Sequence, residues 1–389
     1  MGFSWNKFFG FDGDGSLVLG ERLQRFPWVL LIFLTITVCV GLATLYSAVG
    51  GWDNVHLLLR QGARFMVGLA LMAVIVLFGA ENLYRRYAYI LYIVVLLMLI
   101  GVAVTGSMGM GARRWLDLSF IRLQPSEFMK LAVVLALSRY FHDRSVSANL
   151  TIRDIWVPLL ILAAPFVLII KQPDLGTAVL VAAVGVAVII VAGLPWKWLL
   201  ATLVALGASL PMIWNVLHDY QKQRIMTLFF PERDPLGAGY HIIQSKIAVG
   251  SGGLTGKGFL GGSQSQLNFL PERHTDFIFS VLAEEWGFLG SVALLFLYAL
   301  IILRGLYIAS SAHNRFGLLL AAGVTALFGF QVVINLGMVI GLLPVVGIPL
   351  PLVSYGGSSM VTVMLSMGLL AHVSIHSKHH GRRVEPGEA

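Results

Sequence analysis

Charge is what this sequence has least of. Only 12% of its 389 residues are Asp, Glu, Lys or Arg, against 57% hydrophobic residues, too few to cover the water-facing surface of a soluble domain. Cysteine is almost missing too. Cys39 stands alone inside an apolar run, which excludes an intramolecular disulfide, a cysteine-based metal site and a redox pair. The strict in-out alternation of an outer-membrane barrel is absent. No basic arm or aromatic-basic sheet pattern accompanies the net charge of +8, so nucleic acid is not an expected partner; membrane lipids and lipid-linked phosphate are.

What the sequence has in quantity is apolar runs of bilayer-crossing length. Ten are expected to span: Pro27 to Ala48, Phe65 to Ala80, Tyr87 to Gly106, Pro125 to Phe141, Ile155 to Ile170, Leu175 to Gly193, Trp198 to Leu217, Phe277 to Leu303, Phe316 to Leu343 and Ser358 to Ile375. The first is too long for a signal-peptide core and no small-x-small cleavage site follows it, so it is read as uncleaved. The expected class is an all-α polytopic membrane protein with a large extracytoplasmic loop between helices 7 and 8. Residues 1–25 form a cytoplasmic N-terminal segment, 26–375 the membrane domain including the loop at 218–275, and 376–389 a cytoplasmic tail. Lys and Arg are more frequent in the inner connections once the long loop is set aside, which places both termini inside and the loop outside.

Three outer segments are unlike connectors. Gly109 to Glu127 carries Trp115 among Arg113, Arg114 and Arg122 and is expected to lie in the interface. The long loop ends on PERHTD, Pro271 to Asp276, which crowds Glu272, Arg273, His274 and Asp276 at the mouth of a membrane helix. Gly347 to Ser359, GIPLPLVSYGGSS, cannot continue a helix through its prolines and paired glycines. Irregular backbone at membrane depth is tolerated where it lines a cavity, and one shared site on this face is possible.

Each polar candidate has two readings. Asp276 is a helix-start acid favoured by the macrodipole, or a general base at a partly desolvated mouth. Glu127 and Lys130, three apart on one helix face, form an internal salt bridge or contact substrate. Asp174 in KQPDLGTA starts a helix or serves the site. The glycines of Gly250 to Gly262 fail the nucleotide-loop pattern and are read as flexible, with a diphosphate cradle as the alternative. His372, His376, His379 and His380 are read as a solvated tail, with metal binding as the alternative.

The words GARRWLDLSFIRLQPSEFMKLA, KQPDLGTA, DPLGAGYHIIQSKIAVGSGG, FLPERHTDFIFSVLAEEWG and PLPLVSYGGSS occur in that order. With them the sequence resembles the SEDS family of bacterial cell-wall proteins, across about residues 26 to 375. PERHTD and GIPLPLVSYGGSS are closer to its elongation branch than to its division branch, where an alanine is expected in place of Arg273. Trp286, where a leucine is more usual, is a minor difference.

The resemblance implies a peptidoglycan glycosyltransferase of the cytoplasmic membrane that polymerises lipid II into β-1,4 glycan strands on the outer face during elongation. It implies a class B penicillin-binding protein and other elongation-complex proteins as partners. Asp276 matches the family's essential acid, and Trp115, Glu127, Lys130 and Asp174 match other sensitive positions. Arg113, Arg114, Arg273, His274 and Ser354 are further candidates for holding substrate. Mg²⁺ or Mn²⁺ is a possible cofactor and no organic cofactor is expected. The alternatives are a lipid II flippase, a division-type polymerase or a scaffold for the wall-synthesis complex.

Overall fold

The computed structural model describes residues 19–109, 112–117, 122–144, 152–216, 219–234, 237–267, 269–270 and 272–377. The N-terminal residues 1–18, the tail beyond 377 and thus His379 and His380 lie outside them. Peptide groups in hydrocarbon have no water to bond, so apolar runs must close their hydrogen bonds internally as helix. After a short α1 (Leu19–Gln24), helices occupy every expected spanning segment. They are α2 (Trp28–Ala48), α3 (Val55–Phe78), α4 (Glu81–Thr105), α5 (Pro125–Asp143), α6 (Ile152–Lys171), α7 (Leu175–Val191) and α8 (Trp196–Val216), then α12 (Ile278–Ser310), α13 (Arg315–Val339) and α14 (Gly357–Ile375). Among the described residues seven of these are long and apolar enough to cross a membrane. The other three, α5, α7 and α8, are a charge-bearing helix, a 17-residue apolar helix and a helix with Pro211 inside it. The chain is a polytopic all-α membrane protein.

Helix α3 begins ten residues before the expected start at Phe65. Arg60 and Arg64 interrupt the apolar run but not the helix, because arginine is a good helix former. Nearly every residue of α5 is buried, as are most of α13 and α14. These three form the centre, with α3 packed along α14, α4 along α5, and α12 along α13. Glu127 and Lys130 therefore sit on one of the central helices.

Two expected loops have structure of their own. The segment after α4 forms a small antiparallel sheet in the order β1 (Ser107–Gly109), β2 (Ala112–Asp117), β3 (Arg122–Leu123), with Trp115 opposite Ser107 and Leu116 opposite Leu123. The long loop carries α9 (Asp219–Phe229), α10 (Ala238–Ser251) and α11 (Ser263–Gln266). Helix α10 is fastened by Ser245, whose hydroxyl lies 2.8 Å from Ser280 Oγ and donates to Val339 O at 2.7 Å.

The glycine-rich stretch after α10 is not free but packs against α12. Helix α12 breaks at Gly287, which adopts φ 64°, ψ −159°, a region open to glycine alone at low cost. The break frees peptide groups that the stretch then satisfies. Lys257 N and Gly258 N donate to Glu284 O and Glu285 O, while Phe288 N and Leu289 N donate to Gly253 O and Leu254 O, all at 2.9–3.1 Å. A Cβ on Gly252 would stand 2.0 Å from Ala283 O, so the approach itself requires glycine.

The histidines also differ from expectation. His372 is 1% exposed inside α14 and His376 ends the helix half-buried. An apolar helix long enough to reach them carries them into the packed core instead of a solvated tail.

Candidate active site

The centre of the site is the turn Glu272–Phe277 ahead of α12, and it is held by its backbone. Tyr355 N donates to His274 O at 2.9 Å, Ser354 Oγ to Thr275 O at 2.6 Å, and Asn335 Nδ2 to Asp276 O at 2.9 Å. Three consecutive carbonyls are thus gripped by two segments far away in sequence. Asn335 Nδ2 also donates to Ile348 O at 2.8 Å, so one fully buried amide ties the turn to the Gly347–Ser359 segment. Glu272 and Leu352 take positive φ, 52° and 67°. Such conformations cost about 1–3 kcal/mol each and persist where surroundings over-determine them.

The Asp276 side chain is treated differently from its backbone. It does not cap α12, whose N-cap is Phe277 without a side-chain bond, and among the described residues no donor reaches its carboxylate. Burial raises its carboxyl from the ordinary 3.8 to about 6; Glu272 pushes in the same direction, Arg114 and Arg224 oppose, and Asp174 adds a smaller rise. Those influences come from β2, α9 and the start of α7, so the outer segments converge on Asp276. Gly347 faces it from the fourth side, a Cβ there standing 3.5 Å from Asp276 Oδ2.

The neighbours fill structural and electrostatic parts. Arg273 and His274 are half-buried and burial lowers both from their usual ranges; Glu272 opposes the fall at His274 and Arg273 deepens it. Asp174 caps α7 by accepting from Thr177 N at 3.3 Å, and Gln124 Nε2 reaches its other oxygen at 3.5 Å. Gln124 N donates to Ser358 Oγ at 3.1 Å, which connects the start of α5 to the start of α14. Glu127 Oε1 accepts from Lys130 Nζ at 2.7 Å, with both residues buried, and Glu127 Oε2 has no partner among the described residues. Arg114 donates to Gln172 O and Pro173 O, closing the end of α6. Trp115 is half-buried on β2; the Arg113 side chain lies outside the described residues.

The family described as cell cycle protein, FtsW/RodA/SpoVE, matches residues 21–379. The chain belongs to this SEDS family. It is 44% identical to the peptidoglycan glycosyltransferase MrdB of Escherichia coli K12 over 94% of this chain and 98% of that protein. It is 35% identical to stage V sporulation protein E of Bacillus subtilis, over 91% and 98%. Among solved structures it superposes with TM-score 0.79 on a chain reported for the coordination of polymerization and crosslinking by a peptidoglycan synthase complex, at 38% identity over 91% and 98%. It superposes with TM-score 0.68 on the rod shape determining protein RodA of Thermus thermophilus, at 33% identity over 92% and 98%.

On this SEDS frame, two residues escaped the sequence reading. Asn335 is a lone amide in the apolar run INLGMV, and that isolation was its signal. His241 on α10 stacks on Phe277, ring centroids 6.0 Å apart, next to Asp276; burial lowers its pKa, with Glu272 and Asp234 opposing. Its signal was weaker, a histidine within a glycine-flanked loop helix. Among the described residues no group of three His, Cys, Asp or Glu side chains is placed to hold a metal ion.

Proposed function

We propose that this SEDS protein is the elongation-type peptidoglycan glycosyltransferase, which joins lipid II units into β-1,4 strands at the outer face of the cytoplasmic membrane. Its likeness to MrdB supports the activity and the branch, since the FtsW relatives match at 33–37% identity. The observation that carries the mechanism is the Asp276 carboxylate, fixed through its backbone and met by no donor among the described residues, with its pKa raised to about 6. A base needs that pairing of rigid placement with a pKa near the working pH.

Asp276 takes the proton of the acceptor sugar's 4-hydroxyl as that oxygen attacks C1 of the donor. The C1–O bond to the lipid diphosphate breaks, and the diphosphate leaves with the bonding electrons. One displacement on an α-linked donor inverts C1 and gives the β link without a sugar-enzyme bond. Cations hold the charge that develops on the leaving group.

A class B penicillin-binding protein is the proposed partner, supported by the likeness to a chain from a synthase complex that couples polymerization to crosslinking. The proposed topology puts both termini in the cytoplasm and Asp276 outside. The test is lipid II polymerisation by the purified protein with that partner, products resolved on a gel. A ladder from wild type that vanishes in folded, partner-binding Asp276→Asn supports the reading. Lipid translocation without polymer would replace it with a flippase.

A further inference from the structure

The cations that the sequence offered for the leaving group are largely committed. Lys130 is bound to Glu127 and Arg114 to the carbonyls ending α6. Arg64 on α3 is not. Its Nη1 is buried and meets no acceptor among the described residues, and an unmade bond at a buried charged donor is costly. The guanidinium carbon lies 4.5 Å over the Tyr355 ring, which fixes its plane and leaves the N–H edge available.

Its surroundings are rigid and belong to the Asp276 side. One turn earlier, Gln61 Nε2 donates to Ser354 O at 3.0 Å and Gln61 Oε1 accepts from Gly356 N at 3.3 Å. Tyr355, under the guanidinium, donates its N–H to His274 O, two residues before Asp276. A Cβ on Gly357 would stand 3.2–3.6 Å from Arg64 Nε, Cζ and Nη2, so the glycine keeps the space at the edge of the fork open.

We propose that Arg64 binds the diphosphate of the lipid-linked donor. The inference rests on the glycosyltransferase reading and names a residue of its leaving-group site. A guanidinium presents a planar fork that matches phosphate oxygens with charge-assisted bonds, and an acceptor of that kind completes the bond Arg64 Nη1 lacks. The ring of Tyr355 aims the fork, and the irregular segment Ser354–Gly356 links it to the turn that carries the base.

The experiment measures binding of two probes, undecaprenyl diphosphate and undecaprenol, to the purified full chain with its crosslinking partner. Wild type, Arg64→Met and Arg64→Lys are compared, with monodispersity and partner binding as fold controls. The expected result is about a ten-fold weaker diphosphate affinity in Arg64→Met, an unchanged undecaprenol affinity, and partial recovery in Arg64→Lys. KM for lipid II is expected to rise in parallel, with kcat falling less. Unchanged diphosphate affinity, or equal loss for both probes, would reduce Arg64 to a packing residue on Tyr355. If wild type polymerises and binds the diphosphate while Arg64→Met does both equally well, only this inference falls. If wild type neither polymerises nor binds the diphosphate, the glycosyltransferase reading falls with it.

Discussion

Two carboxylates eight residues apart, Asp276 and Glu284, sit at the same end of α12 and are handled in opposite ways. Glu284 is fully buried, and its Oε1 accepts from Lys257 Nζ at 2.7 Å, Gln264 N at 3.0 Å and Ser263 Oγ at 3.2 Å. Asp276 keeps some exposure, and the described residues place bonds on its carbonyl alone. A carboxylate whose Oε1 gathers three donors staples the loop to the helix. One left without donors, in a poorly solvated place beside another acid, can exchange a proton. The difference separates a structural acid from a chemical one more sharply than burial does.

Substituting each acid by its amide tests the comparison where it is strongest. Asp276→Asn should lower the polymerisation rate by roughly 10²–10⁴-fold, the usual worth of a general base, with folding and partner binding retained. The same change removes a carboxyl whose pKa is raised in the folded state. That carboxyl's contribution to stability is full below about pH 4 and is lost as pH rises through about 6. Asp276→Asn should therefore melt higher than wild type at pH 7.5 and no higher at acid pH.

A third charged site, the buried Glu127–Lys130 pair, sharpens the contrast. Lys130→Ala strands the buried Glu127 carboxylate, and thermal unfolding should report a loss of about 3–5 kcal/mol, as when one partner of a buried pair is deleted. Asn335→Ala attacks Asp276 through its backbone instead. It should cut kcat by about ten-fold, in line with one lost, well-aligned bond to the catalytic turn, with KM for lipid II little changed. Glu284→Gln is expected to do least to catalysis. It should leave kcat within a few-fold and cost about 1–3 kcal/mol of thermal stability through the weakened clasp on Lys257.

Much of this architecture was legible because the bilayer restricts the choices. Apolar runs had to be helices, and the ten segments carry them, displaced mainly where Arg60 and Arg64 looked like an ending. Glu127 and Lys130 at i and i+3 in an apolar stretch could be read as a pair before any coordinate. Asp276 stood out as an acid at a helix mouth, but nothing in the sequence indicated that its carbonyl is held by Asn335, 59 residues further on. The clasp at Gly287 was equally hidden, since a helix break inside WGFLG depends on the loop that fills it. His372 was misread because a histidine near the end of a sequence carries no local mark of burial. Long-range bonds between irregular segments leave no periodicity, and here they build the site.

The most direct measurement of the central claim is the single-turnover rate of lipid II polymerisation by the partner-bound protein as a function of pH, from 5 to 8, with Glu284→Gln alongside. The rate should rise as one group loses a proton with a midpoint near pH 6, with an unshifted midpoint in Glu284→Gln and no such rise in the residual activity of Asp276→Asn. A rate independent of pH across that range, or an Asp276→Asn protein that polymerises as fast as wild type, would contradict it.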